Sequence, residues 1–182
     1  MYGRYETIED RPALSFERRI PHPVEKVWEA ITKPSELEHW FPCRVEVDLR
    51  VGGRMTFAFP EGPLPDGAST LLGEVTELDP PRRFAFTWGG DHLHFELEPI
   101  EDGAACLLRF AVQLDMREKA ARDAAGWHAC LDALQRHLDA ADGADGADGT
   151  AATGPGADWR ARYDEYQRRG LPVGAPIPGE PG

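Results

Sequence analysis

The chain has 182 residues, of which 41% are hydrophobic and 29% charged, and its formal net charge at pH 7 is -12. This length and composition predict one sizeable hydrophobic core. Nucleic acids and anionic membrane surfaces bind to basic faces, so the strong acidity argues against both as partners.

The sequence also argues against a membrane span or a secreted protein. No apolar run approaches the ~20 residues that cross a bilayer, and residues 1–10 are too polar for a signal peptide. Cys43, Cys106 and Cys130 lack the spacing of a disulfide framework or a zinc site and are interpreted as reduced thiols. We therefore expect a cytoplasmic protein.

The first part of the chain predicts a strand followed by two short helices. Apolar and polar residues alternate over residues 14–20, which is typical of a strand. Apolar residues then recur at helical steps over 23–32 and 35–40, and Pro34 and Pro42 end these two helices. The segment before residue 14 shows no pattern that assigns it a structure.

From residue 45 the apolar period changes to two, which predicts consecutive antiparallel strands. Glycine pairs at 52–53 and 89–90, and the Asp-Gly pair at 102–103, are hairpin signals between them, and the proline-rich segment 60–69 is a loop. The predicted strands cover residues 45–49, 55–59, 71–78, 84–88, 93–97 and 106–112.

A long helix is predicted over residues 115–140. At about 1.5 Å per residue it is roughly 37 Å long, enough to cross a small domain. Asp115 and Glu118 have the spacing of a capping box, which marks its start. One face of the helix carries residues at steps of three or four: Met116, Ala120, Ala124, Trp127, Leu131, Leu134 and Leu138.

The end of the chain predicts a linker and a tail, so that residues 1–140 form the domain. Residues 141–157 are rich in alanine, aspartate and glycine and indicate a flexible linker. In the tail, 158–182, a short helix places Trp159, Tyr163 and Tyr166 on one stripe. Such a stripe either folds back onto the domain or docks on a protein partner or a second subunit, forming a dimer.

These elements in this order predict an α+β fold in which a curved antiparallel sheet of about six or seven strands wraps around the long helix. Large aromatic side chains on the inner face of the sheet either fill a core or line a cavity. The residues on that face are Phe16, Phe57, Phe59, Phe84, Phe86, Trp88, Phe95 and Phe110.

Five segments resemble the START-like (SRPBCC) superfamily, and within it the branch named after the activator of the heat-shock protein 90 ATPase. The resemblance covers about residues 14–140 and implies a helix-grip fold, with two short helices after the first strand and an often apolar cavity between sheet and long helix. The segments are RRIPHPVEKVWEAITKPSELEHWF, VGGRMTFAFP, GEVTELDPPRRFAFTW, HFELEP and AGWHACLDAL.

The leading hypothesis is a domain that binds a small hydrophobic ligand in this cavity without catalysis, with segment 60–69 at its mouth. The alternatives are a co-chaperone-like module for protein interaction and a cyclase-type enzyme that uses His128 or Arg18 as proton donor or anchor. The predicted ligand-binding residues are Trp40, Phe57, Phe59, Phe84, Phe86, Trp88, Phe110, Trp127, His128 and Leu131.

Three residues have both a structural and a functional interpretation. His128 either bonds a neighbouring side chain or faces the ligand, and Arg18 either pairs with an acid at the edge of the sheet or receives a ligand carboxylate. Gly126 costs about 1 kcal/mol in a helix, which predicts that the sheet or a ligand comes close to it. The small residues around it predict that the cavity lies over the first half of the long helix.

No metal, cofactor or catalytic residue is predicted. His92, His94 and Glu96 share one face of a strand, but the apolar residues between them take the inner face, so the histidines are expected in solvent. The sequence shows no serine-nucleophile elbow, phosphate-binding glycine loop or dinucleotide fingerprint.

Overall fold

The computed structural model describes residues 2–59, 69–141 and 157–177. Within these ranges, eight strands and four α-helices follow one another. In order they are β1 (Arg4–Ile8), β2 (Arg11–Ile20), α1 (Val24–Thr32), α2 (Pro34–Leu37), β3 (Arg44–Val47), β4 (Arg54–Ala58), β5 (Thr70–Asp79), β6 (Arg83–Trp88), β7 (Asp91–Ile100), β8 (Ala105–Gln113), α3 (Ala120–Ala141) and α4 (Ala157–Arg168).

All eight strands form one antiparallel sheet in the order β1-β2-β8-β7-β6-β5-β4-β3. The chain therefore has the predicted α+β helix-grip fold, in which the inner face of the sheet packs against α1, α2 and α3. The core is made of alternating residues of the strands, such as Phe16, Phe95 and Phe110, together with one face of α3.

The sheet has one strand more than the sequence predicts, because no pattern in the sequence predicts β1. Its residues Arg-Tyr-Glu-Thr-Ile are almost all exposed, so no apolar alternation marks them as a strand. Pairing with β2 holds this strand in place, with Arg4 opposite Ser15 and Ile8 opposite Arg11.

The predicted capping box at the start of α3 is wrong. A 3-10 turn, Arg117–Lys119, precedes the α-helix, which begins at Ala120. The Asp115 carboxylate lies 2.9 Å from the ammonium of Lys119, and the backbone N-H of Asp115 donates to the carboxylate of Asp91. The buried Asp91, supplied by the start of β7, therefore organises this end of the helix in place of Glu118.

The tail folds back onto the domain. Helix α4 packs against α3, with Tyr163 and Tyr166 buried and Trp159 half-buried. The backbone N-H of Ala121 donates to the carbonyl of Pro172 at 3.0 Å, so the segment after α4 lies against the first turn of α3. Predictions for the linker and for the loop at 60–69 concern residues 142–156 and 60–68, which lie outside the described residues.

In the part of the chain that the structure describes, none of the helices has the length and the apolar character that crossing a membrane requires.

Candidate functional site

Aromatic rings form a connected cluster between the sheet and α3. The ring of Trp88 lies 4.6 Å from that of Phe57 and 5.3 Å from that of Phe41, measured between centroids. Trp127 joins the cluster from α3, at 5.3 Å from Phe110 and 5.9 Å from Trp88. Most of these pairs meet edge to face or tilted, the arrangement that the ring quadrupoles favour.

The structure brings together all eight aromatic residues of the predicted site. Leu131 lies in the same hydrophobic core, one turn after Trp127. A continuous chain of ring contacts links the eight with Phe41 and Phe95: Trp40, Phe57, Phe59, Phe84, Phe86, Trp88, Phe110 and Trp127.

Phe41 is the residue that the predicted site omits although it lies at the centre of the cluster. Its ring contacts those of Trp40, Phe57, Phe86, Trp88 and Trp127. The signal in the sequence was its position directly after Trp40, at the end of the second short helix, where the chain turns under the sheet.

Aromatic side chains fill the space that the sequence predicts as a cavity. Gaps too small for a water molecule remain among the described residues under α1 and α2. They do not lie over the first half of α3, where the sequence predicts a cavity. Their lining includes Ile31, Leu37, Trp40, Met55 and Phe84.

The small residues of α3 have a different role from the predicted one. Ala120, Ala121, Ala124 and Ala125 are fully buried, and the first turn of the helix bonds the segment after α4. A side chain at Gly126 would meet only the indole nitrogen of Trp159, at 3.9 Å. The small residues therefore let the tail approach α3, and the predicted approach of sheet or ligand at Gly126 is wrong.

The aromatic cluster approaches the surface at one end. Phe59 and Trp88 are half-buried there, with their ring centroids 5.7 Å apart. Phe59 is the last described residue before the segment 60–68, where the mouth was predicted.

His128 faces the tail helix and not the aromatic cluster. Its Nδ1 lies 3.0 Å from the hydroxyl of Tyr166, and its Nε2 lies 3.6 Å from the carboxylate of Asp132. Burial lowers the pKa of His128 to about 4, and the cations of Arg18 and Arg162 add to this effect. The ring is neutral at pH 7 and has the structural role that was one of its two interpretations.

Arg18 lies near the same carboxylate as His128, that of Asp132. Its guanidinium donates to the carbonyl of Glu17 at 3.1 Å, and its Nη2 lies 3.9 Å from the Asp132 carboxylate. Nη2 is buried and has no hydrogen-bond partner among the described residues. Burial lowers the pKa of Arg18, although not enough to remove its charge.

The two histidines of β7 lie on the outer face of the sheet, as predicted from the sequence. They are half-buried there and not fully exposed to solvent. The rings of His92 and His94 lie 4.0 Å apart, and Nε2 of His92 lies 2.6 Å from the hydroxyl of Thr76. Within the described ranges, no three histidine, cysteine, aspartate or glutamate side chains are placed to hold a metal ion.

The fold therefore combines a curved antiparallel sheet, two short helices, α1 and α2, after strand β2, and the long helix α3 on the aromatic inner face of the sheet. The family model for "Activator of Hsp90 ATPase homolog 1-like protein" matches residues 21–139. The chain belongs to this family. The matched region includes α1, α2 and most of α3, and it leaves β1, β2 and α4 outside.

Solved structures share this fold. The conserved protein of unknown function EF2215 from Enterococcus faecalis is 21% identical, with a TM-score of 0.71 over 92% of this chain and 89% of that chain. CalU16 from Micromonospora echinospora is 22% identical, with a TM-score of 0.66 over 92% and 90%. The AHSA1-like protein from Aeromonas hydrophila is 24% identical, with a TM-score of 0.59 over 75% and 98%. No curated protein matches the sequence significantly.

Proposed function

We propose that this family member binds a small hydrophobic molecule between the sheet and α3, at the aromatic cluster, without catalysis. The supporting observation is the continuous set of ring contacts that runs from Trp40 through Phe110 and Trp127 to the half-buried Phe59 and Trp88. Large flat apolar surfaces of this kind match a planar apolar ligand and offer it edge-to-face contacts.

Binding among the buried rings requires them to move apart, because the gaps between the described residues are too small for a ligand. The half-buried end at Phe59 and Trp88 is the place where this costs least, since fewer contacts are lost there than in the fully buried part. One protein of similar fold, DynU16, is described as a putative protein in the dynemicin biosynthetic locus. At 23% identity this likeness shows only the fold.

The test is a titration of the full chain with N-phenyl-1-naphthylamine, a neutral apolar probe, while tryptophan and probe fluorescence are recorded. We expect saturable binding with quenching of Trp88 and Trp127. Trp88→Leu, at the half-buried end, should weaken binding by about tenfold. Leu72→Ala is the matched control, because Leu72 is an apolar residue of β5 with 61% of its surface exposed. Absence of saturation, or equal binding by both variants, would overturn the proposal.

A second candidate function is protein interaction of the co-chaperone kind, and the packed interior favours it, because a filled core needs no ligand. The family name points to Hsp90 as the partner to test. Stimulation of the ATPase rate of purified Hsp90 by the full chain, in the absence of any saturable probe binding, would support this candidate over the first. An unchanged ATPase rate would exclude activation of the Hsp90 that is used.

A further inference from the structure

The register of the strands places small residues in a row across the outer face of the sheet. His94 of β7 lies between Ala85 of β6 and Ala111 of β8, which lies opposite Ser15 of β2. Ser15 in turn lies opposite Arg4 of β1. This row runs perpendicular to the strands, and at ~4.8 Å per strand its stretch from Ala85 to Ser15 spans about 14 Å.

Taller side chains stand on one side of this row. A second row lies two residues further along each strand and alternates in charge. In it Arg83 lies opposite Glu96, Glu96 opposite Arg109, and Arg109 opposite Glu17. These charges pair with each other, since Arg109 lies 3.7 Å from Glu17 and 3.5 Å from Glu96.

On the other side of the small residues, the next row contains His92 and Gln113, which lie opposite each other on β7 and β8. A groove extends from Ser15, Ala111 and His94 to the row of alternating charge, and His92 and Gln113 do not line it. The volume of this groove is about 350 Å³, at the lower end of the range for small-molecule sites.

His94 carries an unused hydrogen-bonding atom in this groove. Its Nε2 is buried and has no partner among the described side chains. Burial lowers the pKa of His94, so the ring is neutral at pH 7. A neutral imidazole presents either a lone pair or an N-H at Nε2, and a hydroxyl group satisfies both, because it accepts and donates.

Arg4 supplies the charge at the end of the row. Arg4 lines the groove, and its guanidinium has no ion-pair partner within the described residues. The carboxylates of Glu17, Glu77 and Glu96, which also line the groove, already pair with Arg109 or Arg83. Among the described acidic residues that line the groove, Glu6 on β1 alone is left to compete with an incoming anion for Arg4, and it forms no ion pair with Arg4.

Three strand spacings separate the backbones of Arg4 and His94, about 14 Å. One aromatic ring with a polar substituent at each end is short enough to fit within this distance. The floor between them, Ser15 and Ala111, is flat and small, which suits a planar molecule.

We propose that this groove is a second binding site, which takes a small aromatic acid carrying a hydroxyl group opposite its carboxylate. Arg4 binds the carboxylate through its planar guanidinium, and Nε2 of His94 bonds the hydroxyl. The row of His94, Ala111 and Ser15 lies on the outer face of the sheet, and Phe95 and Phe110, whose rings belong to the aromatic cluster, also border the groove.

The first test uses the unaltered full chain and three probes: 4-hydroxybenzoate, benzoate, which lacks the hydroxyl, and phenol, which lacks the carboxylate. Imidazole signals are followed by NMR during each titration. We expect 4-hydroxybenzoate to bind with a Kd of about 1 mM and to shift the His94 signal, and each of the other two to bind about tenfold more weakly. Equal affinity for the three probes, or no saturation by about 10 mM, would overturn the proposal.

The second test uses variants with matched controls. Arg4→Gln and His94→Gln should each weaken binding of 4-hydroxybenzoate by about tenfold. Arg44→Gln, on the exposed edge strand β3, and His39→Gln, on the exposed end of the helix pair, should leave it unchanged within about twofold. Unchanged binding by both groove variants would contradict the site, and this result does not depend on the probe used for the aromatic cluster.

Discussion

The Nδ1 atom of His128 and the hydroxyl oxygen of Tyr166 lie 3.0 Å apart, although 38 positions separate the two residues in the chain. The same hydroxyl accepts the backbone N-H of Gly3 at 2.9 Å. The ring of Tyr2 covers both residues, at 5.0 Å from His128 and 5.3 Å from Tyr166. One tyrosine of the tail therefore joins the long helix to the beginning of the chain.

Removing this hydroxyl should destabilise the protein. Tyr166→Phe leaves the N-H of Gly3 and the ring of His128 buried without their partner, and should lower the free energy of unfolding by about 2 kcal/mol. Urea unfolding of both proteins measures the difference. Tyr163→Phe is the matched control, because the Tyr163 hydroxyl has no hydrogen bond to any described residue. A control that loses as much stability as Tyr166→Phe would contradict this account.

The stability of the protein should fall in mildly acidic solution because of His128. Its pKa is about 4 in the folded chain and 6.5 without the fold, so the unfolded chain takes up the proton first as the pH falls. The stability contributed by the neutral ring is complete above pH 6.5 and is lost progressively towards pH 4, by about 2 kcal/mol between about pH 7 and about pH 5. Urea unfolding at the two pH values gives this loss. If His128→Gln lost as much stability as the unaltered protein over the same interval, the assignment to His128 would be wrong.

Replacing Gly126 should stabilise the protein. A side chain there meets only the indole nitrogen of Trp159 at 3.9 Å, and alanine is favoured over glycine in a helix, so Gly126→Ala should raise the free energy of unfolding by about 0.5–1 kcal/mol. Thermal unfolding checks the sign. In contrast, a side chain at Gly73 would lie 2.2 Å from the carbonyl oxygen of Thr87, so Gly73→Ala should destabilise. Destabilisation by Gly126→Ala would show that helix α4 lies closer to α3 than the structure places it.

The carboxylate of Asp91 should be required at the start of α3. It lies 2.5 Å from the ammonium of Lys119 and accepts the backbone N-H of Asp115, and it is 4% exposed. Asp91→Ala should therefore lower the free energy of unfolding by about 2 kcal/mol, because the half-buried ammonium of Lys119 and the backbone N-H of Asp115 both lose this partner. Glu46→Ala on β3 is the control, since this exposed side chain has no ion pair within the described ranges. A loss below about 0.5 kcal/mol for Asp91→Ala would refute the role of this contact.

Most of the fold follows from local patterns. Apolar residues alternate in β2 to β8, and they form a helical stripe from Ala120 to Leu138. Both patterns show which face is buried, and in this fold the sheet and the helix bury these faces against each other. Strand β1 is different, because both of its faces are polar. Its position is decided by hydrogen bonds to β2, which leave no trace in hydropathy.

The aromatic residues of the site were predictable as a set, because strands of period two point them to one side. Whether they line a cavity or fill it depends on the distance between α3 and the sheet and on the rotamers of Phe41 and Trp88, which no local pattern contains. The tail also decides the roles of Gly126 and His128, because Trp159 lies next to Gly126 and Tyr166 bonds His128. The sequence does not show either contact.

The sequence by itself determined the class of fold, the face of each strand and the aromatic character of the interior, because these depend on the period of apolar residues along the chain. Only the tertiary structure decided that the interior is filled, that the tail bonds His128, and that His94 and Arg4 share a groove on the outer face. The reason is physical: strand register and helix docking set distances between residues far apart in the chain, and each residue's role follows from the neighbours that these distances bring to it.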